Sequence, residues 1–406
     1  MASLTGRGSP EVSAPTKMSD VRDVRPLVIA ALVTGLVTFA VGVLAIDARA
    51  TYGARVTADE PQYLTTALSL AEDFDLDISD EIEERAFLPY HEINLNQQTI
   101  PLNDSGQRIS PHDPLLPLLL AAPMGLGGWQ AAKAGLAFIA ALTAAGTVAL
   151  AVRRYGVRPG IAGLVVSAFF VSPPMTAYAT QVYPEMPAAA CVVLAFWALT
   201  APTLRRREQA TIIFAVVALP WLAVKYAPVA AVLTLGMLWR SSRRERWWQV
   251  GILTLAGIIY LVVHRRIYGG WTVYASGDHF IDGEFLVVGN NPNYVGRTRR
   301  LIGLLVDRGF GLIAWMPGFV LALPALAWFV ARRSRMWPLV VATIAAGWAT
   351  ATWVALTMHG WWWPGRQVVV ILPLVIVAVA MLADRLSTVL AATLASALIA
   401  VFAWMW

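Results

Sequence analysis

The feature that most constrains this chain is a series of apolar runs, many of them close to 20 residues long, separated by short polar loops. A helix of that length can cross a hydrocarbon core of about 30 Å. The composition agrees, because 58% of the residues are hydrophobic and only 14% are charged. Soluble domains are about 45–50% apolar and about 25% charged. The sequence therefore predicts an all-α, polytopic integral membrane protein.

About eleven membrane spans are predicted, with boundaries placed to within a few residues. They are Pro26–Ile46, Ala131–Val152, Gly160–Phe170, Ala188–Thr200, Ala210–Leu222, Ala227–Trp239, Gln249–Val263, Leu312–Val330, Leu339–Leu356, Val368–Leu382 and Leu386–Trp406. The polar tail 1–25 is expected to be a disordered cytoplasmic segment. Residues 26–406 are expected to form one transmembrane domain, with large outer loops at 47–130 and 264–311.

Basic residues gather in short loops that fall on one predicted side of the membrane. These loops are Val152–Pro159, Leu204–Gln209, Arg240–Arg246 and Ala331–Arg335. By the positive-inside rule, that side is the cytoplasm of a plasma-membrane protein. The rule also accounts for the net charge of +6, so the charge does not require a nucleic-acid partner.

Acidic residues concentrate on the opposite, outer side. The segment from Asp47 to Asp113 contains 14 of the chain's 25 acids, and all five histidines are predicted to lie in outer loops or at outer span ends. The acids from Asp73 to Glu84 are expected to form a solvated turn, and their spacing is not that of an EF-hand loop. Carboxylate and imidazole chemistry is therefore expected on the outer face.

The first candidate site residues are Asp59 and Glu60, which stand at the start of a predicted amphipathic helix, Pro61–Glu72. That helix is expected to lie along the outer membrane surface. Two interpretations of the acid pair carry equal weight. The acids either stabilise the helix N-terminus through its dipole or provide a reactive carboxylate.

Four further outer motifs carry ionisable residues. His112 begins a Pro-rich apolar segment, where the alternative role is a helix cap. Glu185 lies between prolines near the membrane surface, where an ionisable group is a functional candidate. Lys225 either extends towards lipid headgroups or binds a phosphate. Arg366 follows three tryptophans and suits bidentate phosphate binding.

Six motifs, in order along residues 58 to about 377, resemble the GT-C superfamily of membrane glycosyltransferases. This group includes protein O-mannosyltransferases, lipid A aminoarabinose transferases and actinobacterial enzymes that use polyprenyl-phosphate sugars. The motifs are ADEPQY, SPHDPLLPLLLAAP, YPEMPAA, LPWLAVKYA, LLVDRGFGLIAWMP and WWWPGRQVVVILP. A large soluble C-terminal domain of the kind some relatives carry is not recognised, so a compact, membrane-only member is expected.

The resemblance implies an inverting transfer of a sugar from an outer-leaflet polyprenyl phosphate. It makes Asp59 the general base, with Glu60 as the alternative, and it gives phosphate binding to Lys225 and Arg366. Further residues are assigned to two groups. Sugar-donor binding is assigned to His112 and Tyr63, and positioning of the acceptor or a metal to Glu185, Tyr183 and His359.

The resemblance leaves the sugar, the acceptor and the oligomeric state open. Composition favours arabinofuranose or mannose, and the acceptor is expected to be an envelope glycan, lipid or protein. No cofactor is required, although a divalent metal held by Asp59, Glu185 or a histidine stays possible. The alternative function is a transporter or flippase of a lipid-linked or small substrate. Such proteins usually place ionisable residues near the membrane midplane, whereas the predicted spans here are nearly free of acids.

Overall fold

A computed structural model describes residues 24–49, 54–289, 291–360, 362–387 and eight residues between 389 and 403. All regular secondary structure in this part of the chain is helical, and two isolated β-bridges, Asp77–Ile109 and Thr99–Gly277, link outer segments. The predicted all-α class is confirmed. The predicted tail 1–25 and the predicted last span, Leu386–Trp406, lie largely outside the described residues.

The described residues form fifteen α-helices. They are α1 Arg25–Leu44, α2 Glu60–Glu72, α3 Ser79–Glu83, α4 Leu115–Tyr155, α5 Pro159–Phe170, α6 Glu185–Leu199, α7 Arg206–Leu222, α8 Ala227–Arg240, α9 Arg243–Ile267, α10 Tyr294–Arg297, α11 Arg300–Val306, α12 Leu312–Trp315, α13 Ala322–Ala331, α14 Trp337–Ala349 and α15 Leu372–Ala383. A π-helical turn, Thr350–Val354, extends α14, and a 3-10 segment, Arg366–Ile371, leads into α15.

Several of these helices are long and apolar enough to cross a membrane. Five such segments are present among the described residues: Arg25–Leu44, Leu115–Tyr155, Arg243–Ile267, Trp337–Val354 and Arg366–Ala383. Three shorter apolar helical segments accompany them, at Pro159–Phe170, Glu185–Leu199 and Pro317–Ala331. The chain is therefore a multi-pass membrane protein, while the number of eleven spans stays a prediction.

Two helices differ from the sequence prediction. The eighth predicted span, Leu312–Val330, is not one helix, because the backbone leaves the helical region at Met316, directly before Pro317. The predicted surface helix is present as α2, but the residues of its first two turns are buried. It packs against α4 and does not lie half-exposed on a membrane surface.

Small residues allow α1 to approach α4 closely. A Cβ added to Gly42 would lie 2.8 Å from the Cβ of Ala137, and one added to Gly35 would lie 3.3 Å from the carbonyl oxygen of Ala141. Such small-residue contacts are typical of membrane helix pairs. The opposite face of α1 exposes large side chains such as Leu36. This packing fixes the helix from which the first outer loop begins.

The basic loops meet at one end of α6. Arg154 Nη2 donates to the carbonyl of Trp197 at 3.1 Å, and Arg335 Nη2 donates to that of Ala201 at 3.0 Å. Arg240 Nη2 also donates to Ala201 at 2.9 Å. Cations here complement the negative end of the helix dipole. The other end of α6, at Glu185, points away from this basic cluster and towards the site described next.

Candidate functional site

A cavity of about 480 Å³ lies where several helix ends and outer loops meet. Its wall includes Asp59 at the start of α2, His112 before α4, Lys225 between α7 and α8, and Arg366 before α15. The outer segment 273–280 and the unwound end of α14 close the other sides. A volume of this size is usual for a small-molecule site.

Arg366 lies at the centre of the charged groups. Its Nη2 donates to Asp59 Oδ2 at 3.0 Å, and its Nε donates to Glu185 Oε1 at 3.0 Å. Lys225 Nζ donates to the same Glu185 oxygen at 2.7 Å and to Gln367 Oε1 at 3.4 Å. Two acids and two cations from four separate segments therefore form one connected ion-pair group.

The backbone and the aromatic residues around Arg366 fix its position. The preceding Gly365 has φ +85°, and a Cβ there would lie 2.9 Å from Pro174. A residue other than glycine would be strained at this turn. The guanidinium lies 3.8 Å from the ring centre of Tyr183 and 5.0 Å from that of Trp362. These cation–π contacts orient Arg366 towards the cavity.

Asp59 and Glu60 have different surroundings. The side chain of Asp59 does not cap α2, and no other described side chain caps its N-terminus. Asp59 lines the cavity, where its Oδ1 accepts a hydrogen bond from Gln98 Nε2 at 3.3 Å. Glu60 is buried away from the cavity, and its carboxylate accepts the backbone N–H groups of Val182 at 2.8 Å and Thr57 at 3.1 Å. Asp59 is thus the acid that a ligand can reach.

The two acids also differ in proton affinity. Burial favours the neutral form of Asp59, but the charge of Arg366 and the hydrogen bonds from Arg366 and Gln98 outweigh it and hold its pKa below the usual value. Burial raises the pKa of Glu60, and Lys133 and the two backbone N–H groups offset this only in part. Asp59 is therefore ionised at neutral pH.

His112 and Tyr63 form a stacked pair on the cavity wall. Their ring centres are 4.4 Å apart, and His112 Nε2 lies 3.1 Å from Gln98 Oε1. Burial lowers the pKa of His112, and Arg366 adds to the effect although Asp59 opposes it. His112 is accordingly a neutral imidazole that is linked to Asp59 through Gln98. Gln98 was not among the residues predicted from sequence, because its partners lie 14 and 39 residues away.

Asp113 holds the segment that carries Lys225. Its Oδ2 accepts the backbone N–H of Val224 at 3.0 Å, and its Oδ1 accepts the hydroxyl of Tyr260 at 3.0 Å. His264 Nε2 lies 3.2 Å from the same Oδ1. Asp113 does not cap α4, whose N-terminus has no side-chain cap. It instead connects α9 to the turn between α7 and α8.

The predicted site residues are not all in the cavity wall. Five of them line it: Asp59, Tyr63, His112, Lys225 and Arg366. Glu185 and Tyr183 lie behind the two cations, while His359 is exposed outside the cavity, with Nε2 3.7 Å from Asp307 Oδ1. Residues that the sequence analysis did not select also line the cavity: Gln98, Tyr274, Asp278, His279, Phe280 and Gln367.

A divalent metal held by Asp59, Glu185 or a histidine was considered, but the two acids are engaged with cations in the structure. Both acids face Arg366, and Glu185 also binds Lys225. Among the described residues, the ligand atoms of three or more acids, histidines or cysteines come close enough to share an ion only at Asp73, Asp80 and Glu81. The cavity wall also contains two cations, Lys225 and Arg366, which are groups that can bind an anion.

Comparison with known proteins identifies a fold. No family model matches the sequence, and a search of curated proteins finds no match. The structure aligns over 90% of its length with the crystal structure of ArnT from Cupriavidus metallidurans bound to undecaprenyl phosphate, with a TM-score of 0.58 and 15% sequence identity. The chain spans 61% of the length of that structure. The chain is therefore an all-helical, multi-pass membrane protein that shares the fold of that structure.

Proposed function

We propose that this protein is an inverting glycosyltransferase of the GT-C kind, which moves a sugar from a polyprenyl phosphate to an acceptor hydroxyl. The observation that carries the proposal is the cavity in which the carboxylate of Asp59 lies beside two cations, Lys225 and Arg366. The fold shared with ArnT, which was solved with undecaprenyl phosphate bound, supports a lipid phosphate as the ligand.

The two cations have hydrogen-bonding capacity left for a phosphate. Lys225 Nζ has three N–H groups and donates to two oxygen atoms, those of Glu185 and Gln367. Arg366 uses Nε and Nη2, and its Nη1 has no hydrogen-bond partner among the described residues. Both residues line the cavity, so the phosphate of the sugar donor binds between Lys225 and Arg366.

The reaction follows from this placement. Asp59 takes the proton of the acceptor hydroxyl, and the acceptor oxygen attacks the anomeric carbon from the face opposite the phosphate. The bond between that carbon and the phosphate oxygen breaks, and its electron pair leaves with the polyprenyl phosphate. The phosphate gains one negative charge as it departs, and Lys225 and Arg366 stabilise that charge.

Phosphate binding also makes Asp59 a stronger base. In the unliganded cavity Arg366 holds the pKa of Asp59 below its usual value. A phosphate on Arg366 competes with Asp59 for the guanidinium and weakens that effect. Asp59 therefore gains proton affinity when the sugar donor is in place, which limits base catalysis to the loaded site.

The orientation of the cavity supports an extracytoplasmic reaction. Helices α6 and α8 run from the cavity, at Glu185 and Ala227, to the basic cluster at Leu199 and Arg240. The positive-inside rule assigns that basic end to the cytoplasm. The cavity, at the opposite helix ends, then faces the side where an outer-leaflet sugar donor and an envelope acceptor meet.

The sugar is proposed to be arabinofuranose or mannose, and the acceptor an envelope glycan, lipid or protein. Tyr274, Phe280 and Trp362 line the cavity, and flat aromatic faces suit the apolar faces of sugar rings. Composition favours these two sugars, and transfer from each of the two labelled sugar donors decides between them.

The test is transfer by the purified protein, reconstituted in liposomes, from radiolabelled polyprenyl-phosphate arabinose or mannose to isolated envelope acceptors. We expect label in the acceptor with one of these sugar donors, and inversion at the anomeric carbon. Passage of the labelled lipid between leaflets without any transfer would identify a flippase instead. Label incorporated with retained configuration would contradict the role of Asp59 as a base.

A further inference from the structure

A second group of acids lies at the other end of α2, away from the cavity. Asp73 directly follows α2, and Asp80 and Glu81 are in the first turn of α3. One carboxylate oxygen from each of the three lies within 4.8 Å of the others. The turn between the two helices therefore brings three negative charges to one point.

Glu81 is the unusual member of this group. Only 4% of the residue is exposed, and both carboxylate oxygens are buried without a hydrogen-bond partner. The other three buried acids in the described part of the chain, Glu60, Asp113 and Glu185, all accept hydrogen bonds. Burying an unpaired carboxylate is costly, so a bound cation or a proton would stabilise the carboxylate of Glu81.

Neighbouring acids of the same turn are already satisfied. Asp75 Oδ1 accepts hydrogen bonds from Ser69 Oγ at 3.0 Å and from the backbone N–H of Asp77 at 2.9 Å. Asp77 Oδ1 accepts from Ser79 Oγ at 2.6 Å. No described lysine, arginine or histidine forms an ion pair with Asp73, Asp80 or Glu81. The three carboxylates thus remain without a counter-charge while their neighbours have partners.

We propose that Asp73, Asp80 and Glu81 bind a calcium ion. Calcium takes oxygen ligands at about 2.3–2.6 Å, so two ligands on opposite sides of the ion lie about 4.6–5.2 Å apart. The three oxygens lie within 4.8 Å of one another, so one ion of this size can contact all of them. Magnesium demands near-octahedral geometry, whereas calcium accepts irregular sets of oxygen ligands. The exposed Asp73 and Asp80 leave room for the water ligands that calcium also accepts.

The ion would have a structural role in the first outer loop. It would join the C-terminus of α2 to α3, and α2 carries Asp59 at its other end, 13 residues or about 20 Å away. That distance excludes the ion from contact with the reacting atoms. Bound calcium would instead hold α2 in the position that presents Asp59 to the cavity.

The experiment measures calcium binding and thermal unfolding of the full chain in detergent. Equilibrium dialysis with radioactive calcium, from about 0.1 to 10 mM, should give about one ion per chain and a saturable rise in Tm. Glu81→Gln should lose the bound ion and the rise. Asp80→Asn is the second variant, because its side chain is exposed and its loss leaves the fold intact. Asp104→Asn, an exposed acid of the same loop, is the matched control and should behave like wild type.

A specific alternative is a proton held between Glu81 and Asp80, because burial raises the pKa of Glu81 to about 8. In that case calcium would cause no saturable change in Tm, and this result would overturn the proposal. A calcium-dependent rise in Tm that persists in both Glu81→Gln and Asp80→Asn would also overturn it. These results do not depend on sugar transfer, so the proposed function is tested separately.

Discussion

Arg366 combines three interactions that normally compete with solvent. Its side chain is 9% exposed, and its guanidinium stacks on Tyr183 and bridges Asp59 and Glu185. Removing one partner of a buried ion pair commonly costs about 3–5 kcal/mol. The residue therefore contributes both to the stability of the site and to the ionisation of Asp59.

The first prediction concerns the pH dependence of transfer in Arg366→Gln. A base acts only when it is deprotonated, and in the wild type Arg366 lowers the pKa of Asp59 and so keeps it ionised at neutral pH. Without Arg366, burial is left as the main influence and raises that pKa. The acid limb of the kcat/KM profile should move to higher pH in the variant. A limb that stays in place would show that Asp59 is not the titrating base.

The second prediction concerns Lys225, whose ammonium is proposed to bind the donor phosphate. A charge-assisted hydrogen bond contributes about 1.5–3 kcal/mol, so Lys225→Met should lower kcat/KM for the sugar donor about 10–100-fold. Lys225→Arg should recover part of the loss because it keeps the charge. Arg299→Gln removes an exposed cation outside the cavity and serves as the control. Equal kcat/KM values in wild type and Lys225→Met would exclude the phosphate contact.

At the scale of elements, the kink in α4 determines where the outer loop enters the membrane domain. The helix is continuous from Leu115 to Tyr155 except at Gly127 and Gly128, whose backbone is not helical. Gly128 has φ +65° and ψ −160°, a region populated almost only by glycine. The first part of α4 begins next to His112, so the kink sets the angle between this cavity wall and the rest of the helix.

The third prediction tests the kink through Gly128→Ala. An added Cβ meets no atom within 4 Å, so the expected loss of stability, about 1–3 kcal/mol, comes from backbone strain alone. Thermal unfolding monitored by tryptophan fluorescence gives the measurement. Gly257→Ala, within α9 and also free of contacts, is the control and should be neutral or slightly stabilising. Equal Tm values for the two variants would mean that the kink is not strained.

The helices were largely predictable from sequence because apolar runs and prolines act locally. The break in the eighth predicted span also has a local cause at Pro317, yet an apolar run alone does not reveal it. The burial of α2 was not predictable, since its polar residues, such as Gln62 and Thr66, are enclosed by the outer loop and α4. Their hydrogen bonds satisfy them there, as with Gln62 Nε2 and the carbonyl of Asn96 at 3.1 Å.

Within the site, sequence motifs selected the charged residues but not their connections. Glu185 was a candidate because an ionisable group near the membrane surface is costly. Asp59 was a candidate because it begins a predicted helix, and Arg366 because it follows three tryptophans and suits phosphate binding. Their contacts span 181 and 307 residues, so the choice between Asp59 and Glu60 required the structure. His359 was assigned through the resemblance, but the turn at Gly365 directs it and Arg366 to different places.

At the scale of the whole molecule, charge is divided between the two ends of the helices. Arginine loops gather around the C-terminus of α6, and the cavity with its mixed ion-pair group lies at its N-terminus. The cavity therefore lies at one end of these helices and not at their middle. Transporters usually hold their substrates near the midplane.

The central claim is that Asp59, not Glu60, is the base of a membrane glycosyltransferase. The most direct measurement compares sugar transfer by wild type, Asp59→Asn and Glu60→Gln at matched folded concentration. A missing general base should lower kcat about 10²–10⁴-fold in Asp59→Asn. Glu60→Gln should retain most turnover and lose stability, because Glu60 accepts two backbone N–H groups. Wild-type turnover in Asp59→Asn, or its loss only in Glu60→Gln, would contradict the claim.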